Sequence, residues 1–240
     1  MAGQARAAVT QLALGLKLDG AARFSTFVAG ANEAALLHLQ NAARAEPPGE
    51  LLWFSGMPET GKSHLLQAAC HAADAAGRRA MYVPCGAPGA EEPALLGGLE
   101  GLALLALDQL EHIAGDAAWE RALFALLDAR RESAQTLLLA GRAAPAAIGF
   151  ALPDLASRAT AAVVYRLAPL GDEERRDALV AHARARGIEL EPAVAQYLLS
   201  RVGRGMRELT GLLDRLDAAS LQAQRKLTIP FVKALIEGGG

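Results

Sequence analysis

Nine residues in the first third of the chain have the types and spacing that bind a phosphate chain. The stretch GMPETGKSH, at positions 56–64, contains Gly56, four spacers, and then Gly61, Lys62 and Ser63. This is the G-x-x-x-x-G-K-[ST] pattern, in which the backbone N–H groups of a glycine-containing loop surround phosphate oxygens. The lysine supplies a cation for the β- and γ-phosphates, and the serine hydroxyl can ligate Mg²⁺. The sequence therefore predicts a site for ADP or ATP, with Mg²⁺ held through the nucleotide.

The residues expected at this site come from the loop and from a second, acidic position. A phosphate-binding loop needs an acid at the end of a neighbouring buried strand, and the segment LALLALD provides Asp108. We expect Ser63 and Asp108 to hold the metal. The alternatives are a chance match to the loop pattern and a solvated aspartate at a strand end. The loop residues expected to bind nucleotide are Gly56, Pro58, Glu59, Thr60, Gly61, Lys62, Ser63 and His64.

The residues after Asp108 indicate weak hydrolysis by the chain itself. Enzymes that hydrolyse nucleotide at such a site usually carry a second acid, which activates the attacking water. Here the next residue is Gln109, whose amide can orient water but cannot accept its proton. Glu111 lies two positions further on, and we expect its side chain to point elsewhere. The sequence thus predicts that the chain binds nucleotide but hydrolyses it only weakly.

The surrounding elements predict an α/β domain followed by a helical one. Five short apolar strands alternate with helical patterns, which favours a parallel sheet covered on both faces. The first helical pattern spans 31–46, with Asn32 as its expected N-cap. After residue 168 the strands stop and four helical patterns follow. We predict a flexible tail at 1–20, an αβα nucleotide-binding domain at 21–168 and a small all-helical domain at 169–240.

Composition excludes several classes of protein. With 24 basic and 26 acidic residues the net charge is −2, whereas a duplex-DNA-binding domain usually has a strongly basic face. No apolar run in the sequence is long enough to cross a bilayer, and the N-terminus is a poor match to a signal peptide. We therefore expect a cytoplasmic protein without a membrane partner. Its two cysteines, Cys70 and Cys85, are interpreted as reduced core thiols.

Four segments together resemble a known family. They are LALLALDQLEHIAGD, LPDLASR, GMRELTGLLDRLD and RKLTIPFVKALIE. In this order after a phosphate-binding loop they resemble the AAA+ core of the bacterial replication initiator DnaA. They resemble still more closely the Hda family of DnaA-related regulators, which inactivate that initiator. The resemblance runs from about residue 10 to 236, and it implies an AAA+ domain with a helical lid.

The resemblance also implies roles for individual residues. Arg158, in LPDLASR, matches the arginine finger, which places a cation against the phosphates of a neighbouring subunit. Arg207, in GMRELTGLL, matches the lid arginine that contacts nucleotide in the same chain. Phe24 and Phe27 match aromatic positions near the adenine. The alternatives are a surface ion pair for Arg158, a helix-surface arginine paired with an acid for Arg207, and core packing for the two phenylalanines.

Two departures from the family pattern bear on hydrolysis and DNA binding. A polar or acidic residue usually follows the fourth strand, but here the stretch reads Ala140, Gly141 and Arg142. Together with Gln109, this makes two positions at which the residue that usually supports hydrolysis is missing. The initiator has a C-terminal helix-turn-helix domain, whereas this sequence stops at Gly240 after the lid pattern. Direct sequence-specific DNA binding is therefore not expected.

The N-terminal tail contains a short peptide that resembles a clamp-binding motif. In QLALGL the glutamine, Gln11, would bond at the rim of a groove. Three leucines of an extended peptide, Leu12, Leu14 and Leu16, would enter an apolar groove on the sliding clamp of DNA polymerase. The alternative is a first strand or a linker. As an Hda-like feature, the peptide implies that the protein docks on the clamp.

Three functions remain open from the sequence. The leading hypothesis is a negative regulator of replication initiation that docks on the clamp and stimulates ATP hydrolysis by DnaA. The second is an autonomous AAA+ ATPase, such as a helicase loader, which the intact Lys62 and Ser63 favour. The third is an adaptor whose nucleotide is purely structural. A homodimer or higher oligomer follows from the resemblance alone.

Overall fold

The computed structural model describes residues 18–44, 49–99, 101–201 and 205–237, with the backbone alone for Arg207 and Glu237. These residues form two compact units. The first unit contains the described residues up to Phe24 together with Ala31–Ala168, and the second contains Ser25–Gly30 and the chain from Pro169 onward. The predicted clamp-binding peptide lies outside the described residues.

The first unit is built on a five-stranded parallel sheet. Its strand order is β2-β3-β4-β1-β5. The predicted parallel sheet is therefore confirmed, and the carboxyl ends of its strands lie along one edge. The register pairs Ser55 with Gly141 and Pro84 with Asp108 at that edge. The strands are β1 Leu51–Ser55, β2 Ala80–Pro84, β3 Leu104–Asp108, β4 Thr136–Gly141 and β5 Val163–Arg166.

In the described part of the first unit, four α-helices accompany this sheet. The helix after the phosphate-binding loop packs on β2, β3 and β4. The central strands β3 and β4 are buried along their whole length, as their continuous apolar sequences predict. The first two residues of the apolar segment LALLALD precede β3, because the Leu102 N–H donates to the Leu99 carbonyl in a turn. The helices are α1 Glu33–Arg44, α2 Lys62–Ala75, α3 Ala117–Glu132 and α4 Pro153–Ala159.

Asn32 has a different role from the one expected. Its side chain does not cap α1: the amide nitrogen donates to the Ala168 carbonyl at 3.0 Å, and its oxygen accepts the Ala168 N–H at 2.7 Å. Residues 30–32 form a short 3₁₀ helix, so α1 starts only at Glu33. An amide can satisfy both backbone groups of one residue, whereas a cap would satisfy only a donor. Asn32 thus fixes the chain where it leaves the sheet.

A buried carboxylate joins α3 to the start of α4. Glu120 is 1 % exposed. Its Oε1 atom accepts N–H bonds from Gly115 at 2.6 Å and Ala151 at 2.9 Å, and its Oε2 atom accepts one from Leu152 at 2.6 Å. A buried carboxylate is stable only when its oxygens are satisfied in this way. Glu120 therefore determines where the residues leading into α4 lie.

The second unit contains helices and no strand among its described residues. Its core is formed by apolar residues of all four helices, including Leu179, Leu198, Leu213 and Val232. Glu174 accepts the Gly171 N–H at 2.7 Å at the start of the first of these helices. The helices are α5 Asp172–Ala185, α6 Pro192–Arg201, α7 Met206–Ala223 and α8 Ile229–Glu237.

Both cysteines of the chain lie among the described residues. Cys70 and Cys85 are both free and buried, which confirms the interpretation as core thiols. Burial raises the pKa of the Cys85 thiol to about 12 and raises that of Cys70 further. None of the described helices combines the length and the apolar character that crossing a bilayer requires.

Candidate functional site

The phosphate-binding loop connects β1 to α2, and its two glycines are needed for different reasons. Gly61 precedes α2 at φ 89°, in the region that favours glycine. At Gly56 the constraint is space, because a Cβ there would lie 2.9 Å from the Leu167 carbonyl oxygen and 2.8 Å from the Thr60 hydroxyl. Thr60 in turn donates to the Met57 carbonyl at 3.0 Å. The loop is therefore held against the chain that follows β5.

The tip of the loop is exposed and its base is buried. Met57, Pro58 and Glu59 are exposed, whereas Gly56 and Thr60 are buried. Glu59 has a positive φ of 66°, which is uncommon for a residue with a side chain. Strained backbone of this kind is frequent at ligand sites. The predicted loop residues thus form one continuous turn that leads into the first residues of α2.

Lys62 is folded onto its own loop. Its ammonium group donates to the Gly56 carbonyl at 2.7 Å and to the Met57 carbonyl at 2.8 Å. Burial lowers the pKa of Lys62, and the negative charges of Asp108 and Glu111 partly oppose this. A phosphate anion bound in the loop would supply a stronger acceptor than a carbonyl. The lysine is placed to exchange loop carbonyls for phosphate oxygens.

Asp108 ends β3 as predicted, and its carboxylate is fixed by two donors. The side chain is 1 % exposed. Its Oδ2 atom accepts the Tyr82 hydroxyl at 2.7 Å, and its Oδ1 atom accepts the N–H of Gln109 at 2.8 Å. Tyr82 comes from β2, the neighbouring strand, and sequence reasoning did not single it out. The sequence around Tyr82 does not indicate this contact, because the contact depends on the pairing of β2 with β3.

The donors near the loop fit Mg²⁺ held through a nucleotide. A serine hydroxyl and a carboxylate are the oxygen ligands that Mg²⁺ prefers, and Mg²⁺ is usually bound by one or two protein groups plus phosphates. Among the described residues no group of three or more histidine, cysteine or acidic side chains could hold a metal ion without such help. Ser63 and Asp108 are the residues of this chain that would hold it.

The expectation that Glu111 points elsewhere is wrong. Gln109 adopts a left-handed conformation at φ 61°, and a 3₁₀ turn over 110–112 follows it. This turn directs Glu111 back to the end of β4, where Oε1 bonds the Arg142 Nε atom at 3.0 Å and Oε2 accepts the Arg142 N–H at 3.2 Å. An acid therefore does lie beside the fourth strand, although it comes from the neighbouring strand's loop. Arg142 neutralises it.

Arg158 lies on α4 and is about one third exposed. It forms an ion pair with Asp128 of α3. Its guanidinium carbon lies 4.3 Å from the centroid of the Phe124 ring. The surface ion pair that the sequence left open is therefore present within the chain. The finger role concerns a neighbouring subunit and stays a prediction, as does the role of Arg207, whose side chain is outside the described residues.

One polar face of α2 holds the segment that precedes Phe24. His64 donates its Nε2–H to the Arg23 carbonyl at 2.8 Å, and Gln67 accepts the Asp19 N–H at 2.8 Å. One turn further on, His71 bonds the Asp19 carbonyl at 3.0 Å. The role of His64 in nucleotide binding stays a prediction, and its side chain bonds the Arg23 backbone. Phe24 and Phe27 are both half-buried, in the first and second unit respectively.

Several solved structures have a similar fold, and one family model matches part of the sequence. Residues 172–236 match the family model described as the lid domain of Hda. Domain III of the Thermotoga maritima replication initiation protein DnaA aligns with a TM-score of 0.75 at 18 % identity, over 93 % of this chain and 98 % of that one. AMPPCP-bound DnaA from Aquifex aeolicus aligns with a TM-score of 0.65 at 21 % identity, over 83 % and 66 %. The Thermotoga maritima RuvB branch migration motor aligns at 0.61 and 17 %, over 87 % and 68 %.

The sheet order, the phosphate-binding loop and the following helical unit give this chain the AAA+ type of nucleotide-binding fold. Over residues 172–236 the chain matches the Hda lid domain, and its fold as a whole is similar to that of DnaA domain III. It spans about two thirds of the longer DnaA and RuvB chains with which it aligns.

We expect Tyr82→Phe to weaken Mg²⁺-dependent nucleotide binding about tenfold, the scale at which loss of a second bond to a metal-holding residue acts. The substitution removes the hydroxyl that fixes Asp108 and keeps the ring. Calorimetric titration of ADP with Mg²⁺ and with a chelator measures it. Tyr165→Phe is the matched control, because the Tyr165 hydroxyl bonds His38. Equal Mg²⁺ dependence in both variants would contradict the role of Tyr82.

We expect His64 to make the free energy of unfolding fall at acid pH. Burial lowers the pKa of His64 below 6.5, against weaker opposing effects of the Arg23 bond and Asp19. Because the unfolded chain then binds the proton more readily, this contribution is complete above about pH 6.5 and is lost as the pH falls below that value. Urea unfolding at pH 7.5 and 5.5 should show a larger loss for wild type than for His64→Gln, whose amide can still donate to Arg23. Equal losses would exclude His64 as the cause.

Proposed function

We propose that this chain is a negative regulator of replication initiation that stimulates ATP hydrolysis by the initiator DnaA. In this proposal it binds ADP or ATP in the loop at 56–64, and Arg158 acts on nucleotide bound by the initiator. The observation that carries the proposal is the arrangement of Arg158, a partly exposed arginine held in a defined orientation at the surface of the first unit. An arginine supplied in trans neutralises charge on the transferred phosphoryl group.

The state of the chain's own site supports the same assignment. Lys62, Ser63 and Asp108 provide for nucleotide binding, whereas Gln109 replaces the usual second acid. The nearest other acid, Glu111, is paired with Arg142. In this arrangement the Glu111 carboxylate bonds the guanidinium and is not free to accept a proton from water. The chain is therefore better equipped to hold a nucleotide than to hydrolyse it.

Three parts of the proposal rest on the family resemblance. Gln11, Leu12, Leu14 and Leu16 would dock on the sliding clamp, which would bring the chain to replicating DNA. Arg207 would contact the bound nucleotide from the lid. A homodimer or higher oligomer would form by the head-to-tail contacts of AAA+ proteins. The cytoplasm is the expected location.

A second candidate function, an autonomous ATPase such as a helicase loader, is favoured by one observation. Glu111 lies at the end of β4 and not away from the site, so an acid is close to the loop. If Glu111 separates from Arg142 when ATP binds, it could serve as the base. This candidate expects phosphate release by the purified chain alone, lost in Lys62→Ala. The proposed regulator expects little release without the initiator.

Replacing Arg158 by alanine should abolish stimulation of the initiator, because an arginine finger is worth about 10³–10⁵ in rate. ATP hydrolysis by the initiator is measured on clamp-loaded DNA with each variant. Arg131→Ala is the control, since it removes an exposed arginine from α3. Full stimulation by Arg158→Ala would show that the finger assignment is wrong. Retained ADP binding by the same variant would show that its own site is intact.

A further inference from the structure

Two charged residues beside the phosphate-binding loop, Glu111 and Arg142, form an ion pair at one edge of the sheet. We propose that this pair, which we call the acid lock, withholds Glu111 as a latent general base and so keeps the chain's own ATP hydrolysis slow. The inference rests on the proposed function and deepens it, because a chain that governs hydrolysis in another subunit must leave its own nucleotide intact. Breaking the pair should therefore turn this chain into an ATPase.

The acid lock lies next to the start of the phosphate-binding loop. Ser55, the last residue before the loop, lies opposite Gly141 where β1 pairs with β4. The residue after Gly141 is Arg142, whose N–H donates to Oε2 of Glu111 at 3.2 Å. Burial lowers the pKa of Lys62, and the negative charge of Glu111 is among those that oppose this effect. The Glu111 carboxylate is therefore close enough to act on the lysine that would meet the phosphates.

The backbone on either side of Arg142 is fixed by separate contacts. Trp53, a fully buried residue of β1, donates its Nε1–H to the Ala143 carbonyl at 2.9 Å. A Cβ at Gly141 would lie 2.6 Å from the Cδ1 atom of Ile148, so this position has no room for a side chain. Neither contact involves the Arg142 side chain. The main chain that presents Arg142 is thus set independently of the ion pair.

Both oxygens of Glu111 are engaged, but by different parts of Arg142. Oε1 bonds the Nε atom at 3.0 Å, whereas Oε2 accepts the backbone N–H. The Arg142 side chain is 62 % exposed and that of Glu111 is 18 % exposed, so the arginine is the outer partner. Replacing the arginine side chain removes the cation and frees Oε1, while the backbone N–H still holds Oε2. The carboxylate would stay in place and become accessible to water.

A released Glu111 carboxylate has the chemistry that Gln109 lacks. It accepts a proton from water while the water oxygen forms a bond to the γ-phosphorus of ATP. The bond between that phosphorus and the oxygen that bridges it to the β-phosphate breaks, and its electron pair stays with ADP. Inorganic phosphate is the second product. In the closed lock the carboxylate bonds the guanidinium instead.

Hydrolysis of ATP labelled on the γ-phosphate, followed with the purified chain and no initiator, tests the lock. We expect Arg142→Ala to hydrolyse ATP about 10²-fold faster than wild type, the lower end of what a general base contributes. Arg142→Met, which keeps an unbranched stem and removes the charge, should give the same increase. Adding Glu111→Gln to Arg142→Ala should return the rate to that of wild type.

Binding of AMPPCP, an ATP analogue with a methylene group between its β- and γ-phosphorus atoms, gives a readout that is independent of turnover. Arg142→Ala leaves the charge of Glu111 unopposed near the phosphates, so we expect AMPPCP to bind about threefold more weakly. Adding Glu111→Gln removes that charge and should restore the wild-type affinity. A loss that Glu111→Gln does not restore would show that Arg142 binds the phosphates itself, and would overturn the lock.

The lock also requires the pair to stay closed when nucleotide binds. The Nε–H of Arg142, assigned in NMR spectra by its absence from Arg142→Ala, should exchange with water more slowly than those of unpaired arginines. This slow exchange should persist with ADP or AMPPCP bound. Exchange that becomes fast on addition of AMPPCP would show that the pair opens, and would overturn the lock in favour of the autonomous ATPase.

Controls and contrary outcomes distinguish the possible failures. Arg176→Ala removes the arginine of another ion pair, with Asp177 in the helical unit, and should leave the hydrolysis rate and the AMPPCP affinity unchanged. Wild-type rates for both Arg142→Ala and Arg142→Met, or a raised rate that persists after Glu111→Gln, would overturn the lock. Full stimulation of the initiator by Arg158→Ala would instead overturn the proposed function, whatever rates the Arg142 variants show.

Discussion

The ammonium group of Lys62, bonded to two carbonyl oxygens of its own loop, is the interaction on which the site depends. It requires the loop to turn tightly back on itself, which Gly61 permits through its left-handed backbone. It also requires Gly56 to lie against the Leu167 carbonyl with no room for a side chain. Because all the strands run parallel, the phosphate-binding loop after β1 and Asp108 at the end of β3 lie at the same edge of the sheet. A nucleotide entering this site would exchange carbonyls for phosphates and leave the surrounding frame unchanged.

The chemistry beside that loop separates binding from hydrolysis. Asp108, which we propose holds the metal, is fixed by the Tyr82 hydroxyl. The next residue is an amide in a left-handed turn, and the turn delivers Glu111 to Arg142. Among the described residues near the loop, Asp108 bonds Tyr82 and Glu111 bonds Arg142, so neither carboxylate is free to act as a base. Arg158, which we propose acts on another protein's nucleotide, lies on a separate helix, α4, and Glu120 of α3 fixes the residues that lead into that helix.

Much of the fold and part of the site could be predicted because they follow from local patterns. Continuous apolar runs predicted the buried strands, and the glycine–lysine spacing predicted the loop and the acid at the end of β3. The rest depends on which strands become neighbours. Tyr82 reaches Asp108 only because β2 pairs with β3, and Glu111 reaches Arg142 only because β3 pairs with β4. Asn32 likewise pairs with a residue more than a hundred positions away, so its local pattern suggested only a helix cap.

The central claim is that this chain holds one nucleotide while the hydrolysis it governs occurs in another subunit's loop. The most direct measurement preloads the initiator with ATP labelled on the γ-phosphate and adds this protein carrying unlabelled ADP, together with clamp-loaded DNA. We expect release of labelled phosphate that depends on this protein, while labelled ATP preloaded on this protein alone stays intact over the same period. Rapid release from this protein alone, with none from the initiator, would contradict the account.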